Sequence, residues 1–155
     1  MIPGHAISIF LLASLVFFFD RLSKIIAIKS LTVEQSIDVL PGIFHITLVH
    51  NTGAAFGLLK DQRLFFIFLT FFVIAFIIIY LSKNNLANRS IAFSFALILG
   101  GALGNLFDRI KFGYVIDFLD FRIWPVFNIA DSCITIGAAI IIITVIMSSY
   151  ASNNN

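Results

Sequence analysis

Four strongly apolar stretches without Asp, Glu, Lys or Arg stand out in this chain: residues 2–19, 64–81, 90–107 and 132–150. Each approaches the roughly 20 residues that an α-helix needs to cross the hydrocarbon layer of a bilayer. In lipid every backbone N–H and C=O must find a partner within the protein, which leaves helices or closed barrels. None of the four stretches alternates polar and apolar residues as a barrel strand does, so four helices are expected. The rest of the composition agrees: 60% of the residues are hydrophobic and 12% are charged, against about a quarter charged in soluble domains.

The first stretch lacks a basic leader and is followed by Asp20 and Arg21 rather than by a small-residue cleavage site, so it is expected to stay as a helix and not to be removed. The expected spans are about 2–28, 64–82, 90–108 and 129–150, within a single membrane-embedded domain over 1–155. Only Ser152-Asn153-Asn154-Asn155 reads as disordered. A lone Cys133 excludes an internal disulfide framework and suits helix packing. With a net charge of +2 and no basic tract, nucleic acid is not an expected partner.

Between the first two spans, Pro41-Gly42 marks a turn and 43–49 is rich in β-branched and aromatic residues, a short strand belonging to a small sheet on the bilayer. Asn51-Thr52-Gly53-Ala54-Ala55-Phe56-Gly57 follows, with small residues that permit close backbone approach and an Asn51 side chain suited to an extended peptide. Residues 110–125 read as a connection, in which Tyr114 and Trp124 suit the headgroup level.

The polar residues are unevenly placed. If four helices alternate in direction, all eight acidic residues fall at one membrane face and only Lys83 and Arg89 remain at the other. Asp20 and Lys24 share a helix face at i,i+4, which suits a structural ion pair or a direct role in a site. Asn105 and Asp108 share a face at i,i+3, next to Gly101, Ala102 and Gly104, which allow close helix packing. Asn128 or Asp131 suits the cap of the fourth helix, where a carboxylate is favoured by the helix dipole.

Carboxylates beside lipid are costly to ionise, so Asp117 and Asp131 are candidates for chemistry. Zinc hydrolysis fits poorly, because His5, His45 and His50 form no zinc-ligand pattern. Ser132 adjoins Asp131 but points away from it on a helix, and Cys133 has no His near it in sequence. Two Asp side chains that share one proton remain, one ionised to activate water and one protonated to polarise a peptide carbonyl. A proton- or cation-relaying transporter is the alternative use of such acids. Repeated halves with broken helices mark that class, whereas the acids here cluster at one face.

Five segments, in order, resemble the motif set of bacterial lipoprotein signal peptidase, also called signal peptidase II. They are Asp20-Arg21-Leu22-Ser23-Lys24, Asn51-Thr52-Gly53-Ala54-Ala55-Phe56, the run Gly100-Gly101-Ala102-Leu103-Gly104-Asn105-Leu106-Phe107-Asp108-Arg109, Val115-Ile116-Asp117-Phe118 and Phe127-Asn128-Ile129-Ala130-Asp131. The resemblance implies an all-α membrane protein of four transmembrane helices with a small extracytoplasmic β-sheet between helices one and two, at about 33–60. It implies an aspartic endopeptidase that removes the signal peptide from diacylglyceryl-modified prolipoproteins, with Asp117 and Asp131 as the catalytic dyad. Asn51, Gly53, Asn105, Asp108, Arg109 and Asn128 would line or support the site, with Asp20 and Lys24 supporting it from helix one. No metal or other cofactor is implied, and the partners would be membrane lipid and the lipidated substrates of a monomer. The resemblance places the site at the extracytoplasmic face of the bacterial cytoplasmic membrane. Counting basic residues gives the opposite orientation, with eight at the acid-rich face and two at the other. The resemblance takes precedence, since Arg21, Lys24 and Arg109 are expected to have acidic partners in the site.

Overall fold

A computed structural model describes residues 4–83 and 88–153. In chain order it contains α1 (Gly4–Ser30), β1 (Ser36–Leu40), β2 (Phe44–Asn51), a 3-10 turn (Ala55–Gly57), α2 (Arg63–Lys83), α3 (Arg89–Lys111), β3 (Val115–Asp120) and α4 (Ile129–Asn153). The start of the first expected span, residues 2–3, and the middle of the α2–α3 connection lie outside the described residues. Helix α4 runs through Asn153, two residues into the tail expected to be disordered.

Among the described residues, three helices, α2, α3 and the 129–151 part of α4, are long and apolar enough to cross a membrane by length and composition. Helix α1 carries Asp20, Arg21 and Lys24 within its sequence. Those charges turn inward: Asp20 and Lys24 are fully buried, while Leu15, Phe18, Phe19 and Ile26 on the outside are each more than half exposed. A polar interior beneath an apolar exterior inverts the order of a water-soluble fold and suits a lipid surround.

Helix α3 is the centre of the bundle, buried at most positions from Ser94 to Asp108. Its glycines let neighbours approach to backbone contact. A Cβ on Gly100 would sit 2.6 Å from the Ala13 carbonyl oxygen of α1, and one on Gly101 would sit 2.5 Å from the Ala130 carbonyl oxygen of α4. Helix association in lipid depends on such close packing because apolar burial supplies no drive there. Helix α2 adds only Phe66 and Ile77 to the buried set, Ile77 joining Phe95 and Ala96 of α3.

The sheet is antiparallel in the order β1-β2-β3. The expected turn at Pro41-Gly42 closes the β1–β2 hairpin, with Gly42 at φ 74°. The third strand corrects the expected placement of the sheet. It comes from 115–120, between α3 and α4, in the segment read as a connection, so the sheet is not confined to the chain between the first two helices. Phe127 closes its outer edge, accepting from the N–H groups of Phe118 and Leu119 at 2.9 and 2.8 Å and donating to the Leu119 carbonyl at 3.0 Å. Ala27 of α1 and Leu31, just after its end, pack with Leu48, Ile116 and Phe118, which seats the sheet on the end of the bundle.

Candidate active site

Asp117 owes its position to the β2–β3 register, in which it faces Val49 after an irregularity in the pairing between Ile46 and Val49. Bulges of this kind re-aim side chains. Each carboxylate oxygen has a donor: Asn51 Nδ2 reaches Oδ2 at 2.9 Å and Asn128 Nδ2 reaches Oδ1 at 2.6 Å. Asn51 is oriented in turn by the Gly53 N–H, which donates to its Oδ1 at 2.9 Å.

Asp131 sits three residues into α4, and Asn128 is the residue before the helix. The two cap it reciprocally. The Asp131 N–H donates to Asn128 Oδ1 at 2.9 Å, and the Asn128 N–H donates to Asp131 Oδ2 at 3.4 Å. This is the capping-box arrangement with Asn and Asp in its two roles. The other Asp131 oxygen, Oδ1, accepts from Asn105 Nδ2 at 2.7 Å. Asn128 therefore serves both carboxylates at once, one through its side-chain amide and one through its backbone.

Behind this layer lies a buried ionic cluster. Lys24 Nζ donates to Asn105 Oδ1 at 2.9 Å and lies 2.9 Å from both Asp20 Oδ2 and Asp108 Oδ2. The Asp20 contact is an ion pair without hydrogen-bond alignment, since that oxygen has no hydrogen-bond partner among the described residues. Asp20 Oδ1 accepts from the Ala130 N–H at 3.0 Å, in the first turn of α4. Asp108 also takes Arg21 and, at 3.3 Å, the Ile116 N–H. Three helices and β3 are thus tied together by charges that compensate one another.

Asn105 carries the link from this cluster to the front layer. Its oxygen accepts from Lys24 and from Asn128 Nδ2 at 3.2 Å, while its nitrogen serves Asp131. Arg109 donates to the Gly53 carbonyl at 3.3 Å and lies 4.6 Å over the Phe66 ring, a cation-π contact.

A cavity of about 240 Å³ opens in front of Asp131, lined also by Asn51, Gly53, Arg109, Val115 and Thr135. An adjoining, mostly apolar cavity is walled by Phe121, Ile123, Trp124, Phe127 and Ile136. A third opens on Asp117, with His50, Thr52 and Lys60 in its wall. The first and third share Asn51, Ala54, Pro125 and Val126, so one cleft passes both carboxylates.

Every residue that the resemblance assigns to the site lies in this assembly, though in two distinct layers. Asn51, Gly53, Arg109 and Asp131 line the cleft, as Asp117 does from its other side. Asp20, Lys24, Asp108, Asn105 and Asn128 are buried behind it. Trp124, Pro125, Val126, Thr135 and Lys60 also line it and were not singled out as site residues. Trp124-Pro125 just upstream of a helix cap was the available signal, since proline holds the chain extended before such an entry. Among the described residues, no group of three or more His, Cys, Asp or Glu side chains is disposed to hold a metal ion.

Electrostatics set Asp117 apart from an ordinary carboxylate. Burial raises its pKa most and the neighbouring Asp131 charge adds to that, together outweighing the amides of Asn51 and Asn128, so that it is pushed up to about 7. His50, stacked 3.9 Å from the Tyr114 ring, is held below the usual imidazole range by burial.

Comparison with known proteins points one way. Residues 12–147 match the family described as Signal peptidase (SPase) II. A protein of Halothermothrix orenii named lipoprotein signal peptidase is 47% identical over 135 residues, covering 87% of this chain and 92% of the relative. One of the same name from Moorella thermoacetica is 48% identical over 132 residues, covering 84% and 87%. A bacterial membrane enzyme solved by the in meso method at 2.3 Å superposes with a TM-score of 0.87 at 34% identity, over 92% of this chain and 89% of that one. With three apolar helices, a carboxylate-bearing cleft and these relatives, the chain is a multi-pass membrane protein that belongs to the signal peptidase II family.

Proposed function

We propose that this protein is a membrane aspartic endopeptidase that removes the signal peptide from diacylglyceryl-modified prolipoproteins, with water activated between Asp117 and Asp131. The observation that carries this reading is the shared amide: Asn128 holds Asp117 by its side chain and Asp131 by its backbone, beside one open cleft. Two neighbouring carboxylates cannot both ionise readily, and the raised pKa of Asp117 suits a pair that keeps one proton near neutrality. The ionised carboxylate takes a proton from water as its oxygen attacks the scissile carbonyl carbon, and the protonated one donates to the carbonyl oxygen. Collapse of the resulting gem-diol breaks the C–N bond and delivers a proton to the leaving amine. Asn51 and Arg109, at the cleft wall, are the donors available to a polarised carbonyl.

In this reading α1 is a fourth span, its charges buried in the site and its apolar face in lipid. The cleft faces the extracytoplasmic side of the bacterial cytoplasmic membrane, and the unit works as a monomer. The apolar cavity beside Asp131, open toward the outer face of α4 at Ile136, suits the lipid-borne part of the substrate.

Purified protein in detergent, incubated with a lipidated precursor peptide, tests the reading. Cleavage that falls about a thousand-fold or more in Asp117→Asn and in Asp131→Asn, with unchanged helicity, is the expected result. Ion flux in proteoliposomes without cleavage would move the protein to the transporter class. Reporter fusions after Asp38 and after Lys83 test the orientation, with Asp38 expected outside.

A further inference from the structure

The Asp117 side of the cleft ends in a cation that the dyad chemistry does not use. Lys60 lines the cavity that also contains Asp117, His50 and Thr52. No ion pair to Lys60 occurs among the described residues. Its place is set by the loop after β2. The Ala54 N–H donates to the Leu58 carbonyl at 2.8 Å, which folds the loop back on itself. A Cβ on Gly53 would sit 3.2 Å from the Lys60 backbone nitrogen and 3.3 Å from its Cα, so the backbone of Lys60 lies directly against Gly53. Gly53 is hydrogen bonded to Asn51, and Asn51 to Asp117. A short chain of contacts therefore ties Lys60 to the candidate catalytic carboxylate.

The side chain is guided as well. It passes over Gly57, where φ is +70° and an added Cβ would fall 2.9 Å from Lys60 Cε and 3.6 Å from Nζ. The cavity wall thus has a positive end, beside the His50 imidazole. The cavity beside Asp131 is apolar, walled by Ile123, Trp124 and Ile136, and carries no such charge. A membrane-borne substrate would leave its lipid and apolar signal in that apolar cavity and run its water-directed segment past Lys60.

Resting on the proposed peptidase reading, we infer that Lys60 is a specificity-determining residue that favours acidic side chains in the substrate just beyond the lipidated residue. The attraction acts across a solvent-exposed rim, so the discrimination is modest and sensitive to salt.

The test uses three lipidated precursor peptides identical except for Asp, Asn or Lys within the first three residues after the lipidated one. In the wild type, kcat/KM is expected to be roughly two- to five-fold higher for the Asp peptide than for the Lys peptide, a difference carried mainly by KM. Lys60→Gln removes the preference and Lys60→Glu reverses it, while raising salt from about 0.05 M to about 0.5 M erodes it. Gly57→Ala, which displaces the lysine stem, weakens the preference with Lys60 still present. An unchanged ranking in Lys60→Glu overturns the inference and leaves the peptidase reading standing. A loss of rate equal for all three peptides and dependent on anionic lipid also overturns it, in favour of headgroup binding by Lys60. Failure of the wild type to cleave any of the three sinks the peptidase reading and this inference with it.

Discussion

The side-chain nitrogen of Asn128 lies 2.6 Å from Asp117 Oδ1, while the same residue's backbone N–H, at 3.4 Å, points to Asp131 Oδ2. A single helix-capping residue is therefore the hinge between two carboxylates that reach the site on different elements, one on β3 and one on α4. The amide also reaches the Ile116 carbonyl at 3.3 Å and Asn105 Oδ1 at 3.2 Å, so it is held from several sides.

Asn128→Ala removes a cap and strips one of the two side-chain donors from the buried Asp117 carboxylate. The expected cost is about 1–3 kcal/mol of stability and a drop in turnover larger than the drop in folded fraction. Thermal unfolding in detergent, run beside cleavage assays on the same preparation, separates the two effects.

The raised pKa of Asp117 has two consequences for pH. Under the proposed dyad mechanism activity requires one proton on the pair, so the rate is expected to fall as pH climbs through about 7, the alkaline limb of a bell-shaped profile. For stability, the folded chain keeps a proton near pH 7 that an unfolded Asp would release near 3.8. The stabilising contribution is therefore complete below about pH 4 and is lost between there and about pH 7. Asp117→Asn lacks this loss. Its melting temperature relative to the wild type is expected to rise between pH 5 and pH 8, and a constant difference would contradict the raised pKa.

Lys24 is fully buried between Asp20 and Asp108. Lys24→Met leaves two acids buried with reduced compensation, at a cost of about 3–5 kcal/mol. Asp20→Asn, which keeps an oxygen for the Ala130 N–H, is expected to be milder than Lys24→Met in unfolding assays. Its effect on turnover should also be smaller than that of either dyad change, because Asp20 lies behind the cleft rather than in its wall. Equal, total loss of turnover in a folded Asp20→Asn protein would contradict this.

At Gly101 an added methyl would press on the Ala130 carbonyl oxygen at 2.5 Å, and backbone cannot rotate aside. Gly101→Ala is expected to destabilise by about 1–3 kcal/mol and to shift the first turn of α4, where Asp131 sits. Turnover should fall with it, whereas Ile142→Ala on the exposed face of α4 should leave turnover unchanged.

Much of this architecture is carried by short-range patterns. The charge-free stretches give the apolar helices, the i,i+4 spacing brings Asp20 to Lys24, and the Asn128-to-Asp131 spacing forms the cap. Each depends on neighbours within one or two turns, where helix periodicity alone decides who meets whom. Strand β3 escaped that logic. Five of its six residues are buried, on both faces, and two of them are acids, so they show no alternation, and they become a strand only through pairing with β2 some 66 residues earlier, as in the Asn51–Asp117 bond. The same holds for Lys24 with Asn105 and Asp108, and for Arg21 with Asp108, contacts that exist only once α1 lies against α3. Sequence spacing therefore determined which polar residues this membrane protein has and on which helix faces they stand. Only the packing of α1, β3 and α4 around α3 decided that they meet in one place, because a contact between distant segments depends on closed loops and close-packed glycines, which no local period records.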